Sequence, residues 1–168
     1  MTRAAFPLAL LLLAPLSGCG LQPLYPAGGA GPVVGMLGEV AVSPVEGKSG
    51  WLVANALRDR LGAAGGQAPR FRLDVKLDDR IEGLAVRSDN SVARERRTLR
   101  ARYQLVALDT GTVVLDATAG SDAGVDVVTS EYATIAAEAT ALERLSEIVA
   151  DQIVARVALY ARNESKRQ

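Results

Sequence analysis

The chain reads as an α+β protein: a two-layer sandwich with two helices packed on one face of a mostly antiparallel four-stranded sheet, in the order β-α-β-β-β-α. Three observations lead there. Residues 70–78 alternate strictly, with Phe71, Leu73, Val75 and Leu77 against Arg70, Arg72, Asp74 and Lys76. A longer alternation from Val92 to Leu108 turns at Asp109-Thr110-Gly111 into Val113, Leu115 and Ala117. The last third carries one apolar stripe at helical spacing, free of glycine and proline. Period two means strands with one covered and one wet face, whereas period 3.6 means a helix with one buried stripe.

The elements follow in order. Val40 and Val42 alternate with Ala41 and Ser43 before Pro44 and Gly47, a short strand and a turn. Ser49 is placed to cap a helix through its hydroxyl, and Trp51, Ala54, Leu57 and Leu61 then recur every three or four residues up to Gly62. The strand at 70–78 closes on Asp78-Asp79, read as its solvated end, and Glu82 to Asn90 reads as a loop. In the next strand Leu99, Ala101, Tyr103, Leu105 and Ala107 face one way and Arg94, Arg96, Thr98, Arg100, Arg102 and Gln104 the other. The turn at 109–111 makes this strand and its successor a hairpin, after which Asp122 and Asp126 lie among Gly120, Ser121 and Gly124 in an expected turn. From Thr129 or Ser130, Ile135, Ala139, Leu142, Leu145, Val149, Ile153, Val157 and Tyr160 define a helix of about 30 residues, roughly 45 Å long. Glu131 near its start and Arg156 and Arg162 near its end suit the helix dipole.

The N-terminus carries a processing segment rather than part of the fold. Arg3 supplies a positive start, Phe6 to Pro15 a short apolar core, and Leu16-Ser17-Gly18-Cys19 a lipobox ending in the only cysteine. That core falls short of the roughly 20 residues a spanning helix needs. Cleavage before Cys19 and acylation of its thiol are therefore expected, with residues 1–18 removed. Burial of acyl chains at about 0.8 kcal/mol per methylene would then hold the chain on a membrane. Gly20 stands where an aspartate commonly signals inner-membrane retention, which points to the periplasmic leaflet of the outer membrane. Residues 19–36, rich in proline and glycine without a sustained period, read as a tether. A single domain is expected over 37–163, with a polar tail at 164–168.

Composition narrows the chemistry. The 19 basic and 19 acidic residues cancel, and removal of the leader with Arg3 leaves 18 against 19, so no basic field recommends nucleic acid as a partner. An acylated Cys19 leaves no thiol for a disulfide, and stability must come from apolar packing. The chain has no histidine, which removes the usual general base, the usual zinc ligand and every Ser-His or Cys-His nucleophile pair. No metal or cofactor is expected beyond the lipid on Cys19. Paired acids at Asp78-Asp79 and at Asp122 and Asp126 keep a carboxylate glycosidase formally open. Glycines 28, 29, 31 and 35 form no phosphate loop, since no Gly-Lys-Ser/Thr follows them.

Cys-Gly-Leu-Gln-Pro-Leu-Tyr at 19–25 is followed far along the chain by Ser130-Glu131-Tyr132-Ala133, Ala137-Glu138, Arg144, Ala150-Asp151-Gln152-Ile153 and Arg156-Val157-Ala158-Leu159-Tyr160. Together these segments resemble the lipopolysaccharide-assembly lipoprotein family LptE in its α-proteobacterial form, and the resemblance spans nearly the whole chain after the leader. It implies an α+β sandwich that sits as a plug inside the β-barrel translocon LptD, helps that barrel assemble and contacts lipopolysaccharide; it implies no enzyme. Independently of the resemblance, Arg94, Arg96, Arg97, Arg100 and Arg102 concentrate positive charge on one strand of a neutral chain. Arginine forks match phosphate and carboxylate geometry, so this stripe is a candidate lipopolysaccharide site assigned from charge and face alone. The competing reading is a solvated face whose arginines pair with Asp74, Asp78 and Asp116. Two other functions stay open at this point: an auxiliary lipoprotein of an envelope phospholipid transporter, separable from the first by its partners, and a cell-wall hydrolase.

Overall fold

The computed structural model describes residues 32–62, 68–86 and 92–167. The elements are α1 (Pro32–Gly38), β1 (Val40–Val42), α2 (Gly47–Gly62), β2 (Phe71–Val86), β3 (Val92–Ala107), β4 (Val113–Asp126) and α3 (Glu131–Ser165). Cys19 and the leader lie outside the described residues, and no described helix is long and apolar enough to cross a membrane.

The sheet has the order β1-β2-β3-β4. β2, β3 and β4 form an antiparallel meander, and only β1 pairs parallel, matching Val40 to Phe71 and Val42 to Leu73 through the α2 crossover. The hairpin turn lies where the sequence puts it: Gly111 donates its N–H to the Ala107 carbonyl at 2.8 Å and adopts φ +68°, a conformation glycine reaches without strain. One face of the sheet builds the core, with Leu73, Leu99, Ala101, Tyr103 and Leu105 meeting Leu142, Leu145, Val149, Ile153 and Val157 of α3 and Val53, Leu57 and Leu61 of α2. α3 starts on Ser130, whose hydroxyl accepts from the Ala133 N–H, and its 35 residues correspond to about 52 Å.

Several expectations are corrected. Among the described residues the helical layer has three helices, not two: α3 lies along β3 and β4, α2 stacks chiefly on α3 and β1, and α1 packs on α3. α1 takes in residues 32–36, which the glycines assign to tether; Val33 and Leu37, one turn apart, are both buried in the core. α2 begins at Gly47, so Ser49 lies inside its first turn, and Trp51 is 63% exposed while Val53 and Leu57 carry the burial. α3 buries its middle, but Ile135 is 55% exposed.

The strands are longer than their hydrophobic patterns. β2 continues past Asp78-Asp79 through Glu82 to Val86, because β3 supplies a pairing partner at every step to Gly83, beyond which the register shifts. The remainder of the expected loop, 87–90, lies outside the described residues. β4 likewise runs through Asp122 and Asp126, which face Thr98 and Arg94 across the ladder rather than sitting in a turn.

At the parallel edge, the Ser43 hydroxyl donates to Asp74 at 2.6 Å and the Arg72 guanidinium donates to the same carboxylate at 3.0 Å. Arg72 first, then Ser43, hold the Asp74 carboxyl below its ordinary range, against the opposing effect of burial. A lowered folded-state pKa means stabilisation that is complete above the unfolded value of 3.8 and lost as pH falls through the folded value. With the side chain 39% exposed, solvent limits the contribution to about 0.5–1 kcal/mol. Asp74→Asn should cost that much in urea unfolding at neutral pH, and the gap to the native chain should narrow as pH falls below 3.8.

Candidate functional site

The outer face of the sheet, turned away from the helices, is polar along β2, β3 and β4. Alternation puts Arg72, Asp74, Lys76, Asp78, Arg80 and Glu82 of β2 on it, then Arg94, Arg96, Arg100 and Arg102 of β3, then Asp116, Asp122 and Asp126 of β4. Most of these charges are paired. Arg94 approaches Asp126 at 3.4 Å, Arg96 approaches Asp122 at 3.8 Å, Arg102 meets Asp116 at 3.0 Å, and Arg80 meets Asp78 at 2.9 Å. Arg102 foremost, then Gln104, lower the Asp116 carboxyl below its ordinary range, and Asp116 in turn raises the Arg102 guanidinium.

The five arginines of β3 therefore do not form one site. Arg97 has the parity of Leu99 and sits on the covered face. Its guanidinium grips Asp79 with two bonds, at 2.7 and 2.9 Å, and donates a third to the Glu138 carbonyl of α3 at 3.1 Å. With side chains 13% and 20% exposed, this pair fastens α3 to the sheet rather than waiting for a ligand. Of the carboxylates expected to neutralise the stripe, only Asp116 does so; Asp74 and Asp78 pair instead with Arg72 and Arg80 of their own strand. Asp122 and Asp126 take part, which their assignment to a turn concealed.

Arg100 is different. Among the described residues it makes no ion pair, and its stem lies flat across Gly120 of β4, where a Cβ would meet Arg100 Cδ at 2.5 Å. The glycine leaves room for the arginine to rest on the sheet. Lys76, Arg100 and Arg102 with Thr118 and Gly120 line a shallow groove of about 570 Å³ at the centre of the outer face. Asp78 lines it too but is held by Arg80, and Asp116 holds Arg102, so among the described residues Lys76 and Arg100 are the groove cations without an ion-pair partner. Lys76 was not singled out by the sequence because it stands on β2; the register that sets it opposite Arg102 brings it in.

The geometry also disposes of the candidate carboxylate pairs. Asp78 and Asp79 are neighbours on a strand, so one faces out and the other in, and they cannot flank one bond. Asp122 and Asp126 share a face at four residues' spacing, roughly 13 Å along a strand, wider than the roughly 6.5–9.5 Å an inverting pair uses.

A long meander with a polar outer face and a helical layer over the other is a fold of bacterial lipoproteins. A chain described as a lipoprotein of Caulobacter crescentus CB15 matches with a TM-score of 0.67 at 22% identity, over 80% of this chain and 98% of that one. Rare lipoprotein B of Shewanella oneidensis matches with a TM-score of 0.61 at 12% identity, over 76% and 97%. A minor lipoprotein of Acinetobacter baumannii gives 0.56 at 14% identity, over 71% and 88%. At these identities the likeness is one of fold. No curated protein matches by sequence. The family model for LptE, lipopolysaccharide-assembly, matches residues 37–157, and the chain belongs to that family of assembly lipoproteins. The family is non-enzymatic and is associated with the Gram-negative envelope.

Proposed function

We propose that this chain is acylated at Cys19, rests on the periplasmic leaflet of the outer membrane, plugs and helps assemble an LptD-like β-barrel, and contacts lipopolysaccharide through the groove at Lys76, Arg100 and Arg102. Membership of the lipopolysaccharide-assembly family over residues 37–157 carries the reading. The groove adds a chemical reason. Lipopolysaccharide carries phosphates and carboxylates near its lipid, and Lys76 and Arg100, with Arg102 beside them on Asp116, offer point and planar donors at one place. The broader stripe is set aside: Arg94 and Arg96 face carboxylates, and Arg97 belongs to the interior.

A gentle detergent pull-down of the tagged lipidated protein from its own envelope tests the assembly role. A stoichiometric outer-membrane β-barrel among the retained partners is the expected result. Recovery of an inner-membrane transporter or its periplasmic substrate-binding parts, without a barrel, would transfer the chain to envelope phospholipid transport. Acylation is checked on the same preparation by the mass of the N-terminal peptide, which should begin at a lipid-modified Cys19.

A further inference from the structure

The sheet ends in two long edges of opposite character. On β4, the Gln152 side chain of α3 accepts from the Gly120 N–H at 2.9 Å and donates to the Gly120 carbonyl at 3.4 Å. Its amide thus occupies the two backbone groups that a neighbouring strand would use at Gly120, midway along the edge. The outer-face charges of β4, Asp116, Asp122 and Asp126, are all acidic, so two such edges repel each other. This edge is closed to its own kind.

The β2 edge is not. β1 covers it only as far as Leu73, whose carbonyl accepts from Ser43 N–H at 3.0 Å, and beyond that no described strand pairs with it. Since alternate residues of an antiparallel strand turn both backbone groups to the same side, Val75, Leu77, Asp79, Ile81 and Gly83 present theirs outward. The side chains between them on the outer face run Lys76, Asp78, Arg80, Glu82, strictly alternating in sign.

We infer that this edge is a self-recognition surface: two copies of the chain pair antiparallel through residues 75–83, with Asp79 opposite Asp79 of the second copy, to join β4-β3-β2 of both copies into one six-stranded sheet, each β2 leaving the shared ladder after Gly83, where its register shifts, so that β1 keeps its place beside residues 71–73. In that register Lys76 faces Glu82 of the second copy and Asp78 faces Arg80 of the second copy, each pair occurring twice by symmetry. Leu77 faces Ile81 of the second copy on the inner side, covering a side chain that is 42% exposed in the single chain. The central aspartates do not meet as bare carboxylates, because each is already gripped by Arg97. The alternation also fixes the register. Sliding by two residues sets Lys76 against Arg80 or Asp78 against Glu82, like against like, and sliding by one turns the side chains to the wrong faces. The outward backbone groups and the charges agree on the same centre; on β4 the charges share one sign and Gln152 takes up the groups of Gly120. The pairing belongs to the chain free of other partners and does not depend on the functional reading.

Light scattering of the purified full chain in detergent, with the micelle mass subtracted, measures the association directly. A dimer is expected. Lys76→Glu and Glu82→Lys should each weaken it at least about tenfold, since each replaces two attractive pairs by two repulsive ones. The double swap Lys76→Glu/Glu82→Lys restores opposite signs and should return affinity to within about threefold of the native chain. Both side chains are exposed, and circular dichroism would verify that the variants fold. In the native chain, hydrogen exchange at Leu77, Asp79 and Ile81 should slow as concentration rises. A chain monomeric at every accessible concentration overturns the inference, as does a dimer indifferent to the swaps. If the chain is monomeric and the swaps instead release an envelope protein from the pull-down, the edge belongs to that protein and self-recognition is likewise excluded.

Discussion

Arg97→Ala lowers the unfolding free energy by about 1–3 kcal/mol while leaving the proposed lipopolysaccharide binding unchanged. The guanidinium is largely enclosed, bonded twice to Asp79 and once to the Glu138 carbonyl; alanine would leave the Asp79 carboxylate without its partner in a site with little water and remove the tie to α3. The Glu138 carbonyl belongs to α3, so the loss should fall where the helix begins to cover the sheet. Urea unfolding of native and variant chains gives the magnitude, and hydrogen exchange gives the place: amides of the first turns of α3 should lose protection before those around Ile153. An unchanged midpoint would mean that the Arg97–Asp79 pair contributes no more than an exposed one.

Simultaneous replacement of Lys76, Arg100 and Arg102 by alanine gives the opposite pattern. Under the proposed recognition of lipopolysaccharide, affinity should fall at least about tenfold, with stability nearly unchanged because these side chains lie on the wet face. Raising salt should weaken the native interaction and flatten the difference between the two chains, since the attraction is between exposed charges. The control is Arg94→Ala/Arg96→Ala, which removes as much charge from the same strand as two of the three groove residues but takes it from positions facing Asp126 and Asp122. If the control weakens binding as much as the groove variant, the face acts as a diffuse positive field and the groove has no special standing. If neither affects binding, lipopolysaccharide is contacted elsewhere.

The two predictions separate residues that the sequence groups together. Arg94, Arg96, Arg97, Arg100 and Arg102 look alike in a list of charges, and parity alone separates Arg97 from the rest, since it shares the phase of Leu99 and Ala101. What Arg97 grips does not follow from parity, because Asp79 stands on another strand, at a position where the hydrophobic alternation of β2 has already ended. Lys76 was invisible as a site residue for the complementary reason: its neighbours in sequence are Val75 and Leu77, but its neighbour in space is Arg102.

Hydrophobic period determined the main elements from sequence: the alternation at 70–78, the hairpin about Asp109-Thr110-Gly111, and the α3 stripe from Leu142 to Val157, all of which fold as read. It did so because those stretches bury one face, and burial imposes a regular pattern on the residues that make it. Where the pattern thins, the tertiary structure decides. The far halves of β2 and β4, with Asp78, Asp79, Asp122, Gly124 and Asp126, are strands because β3 pairs with them and its arginines meet Asp79, Asp122 and Asp126, contacts between distant residues that leave no local period. α1 is a helix because Val33 and Leu37 find the core, although the glycines around them read as tether. The charge of the chain is settled by composition alone, but which charges pair, and that Arg100 has no ion-pair partner among the described residues, is settled only by strand register.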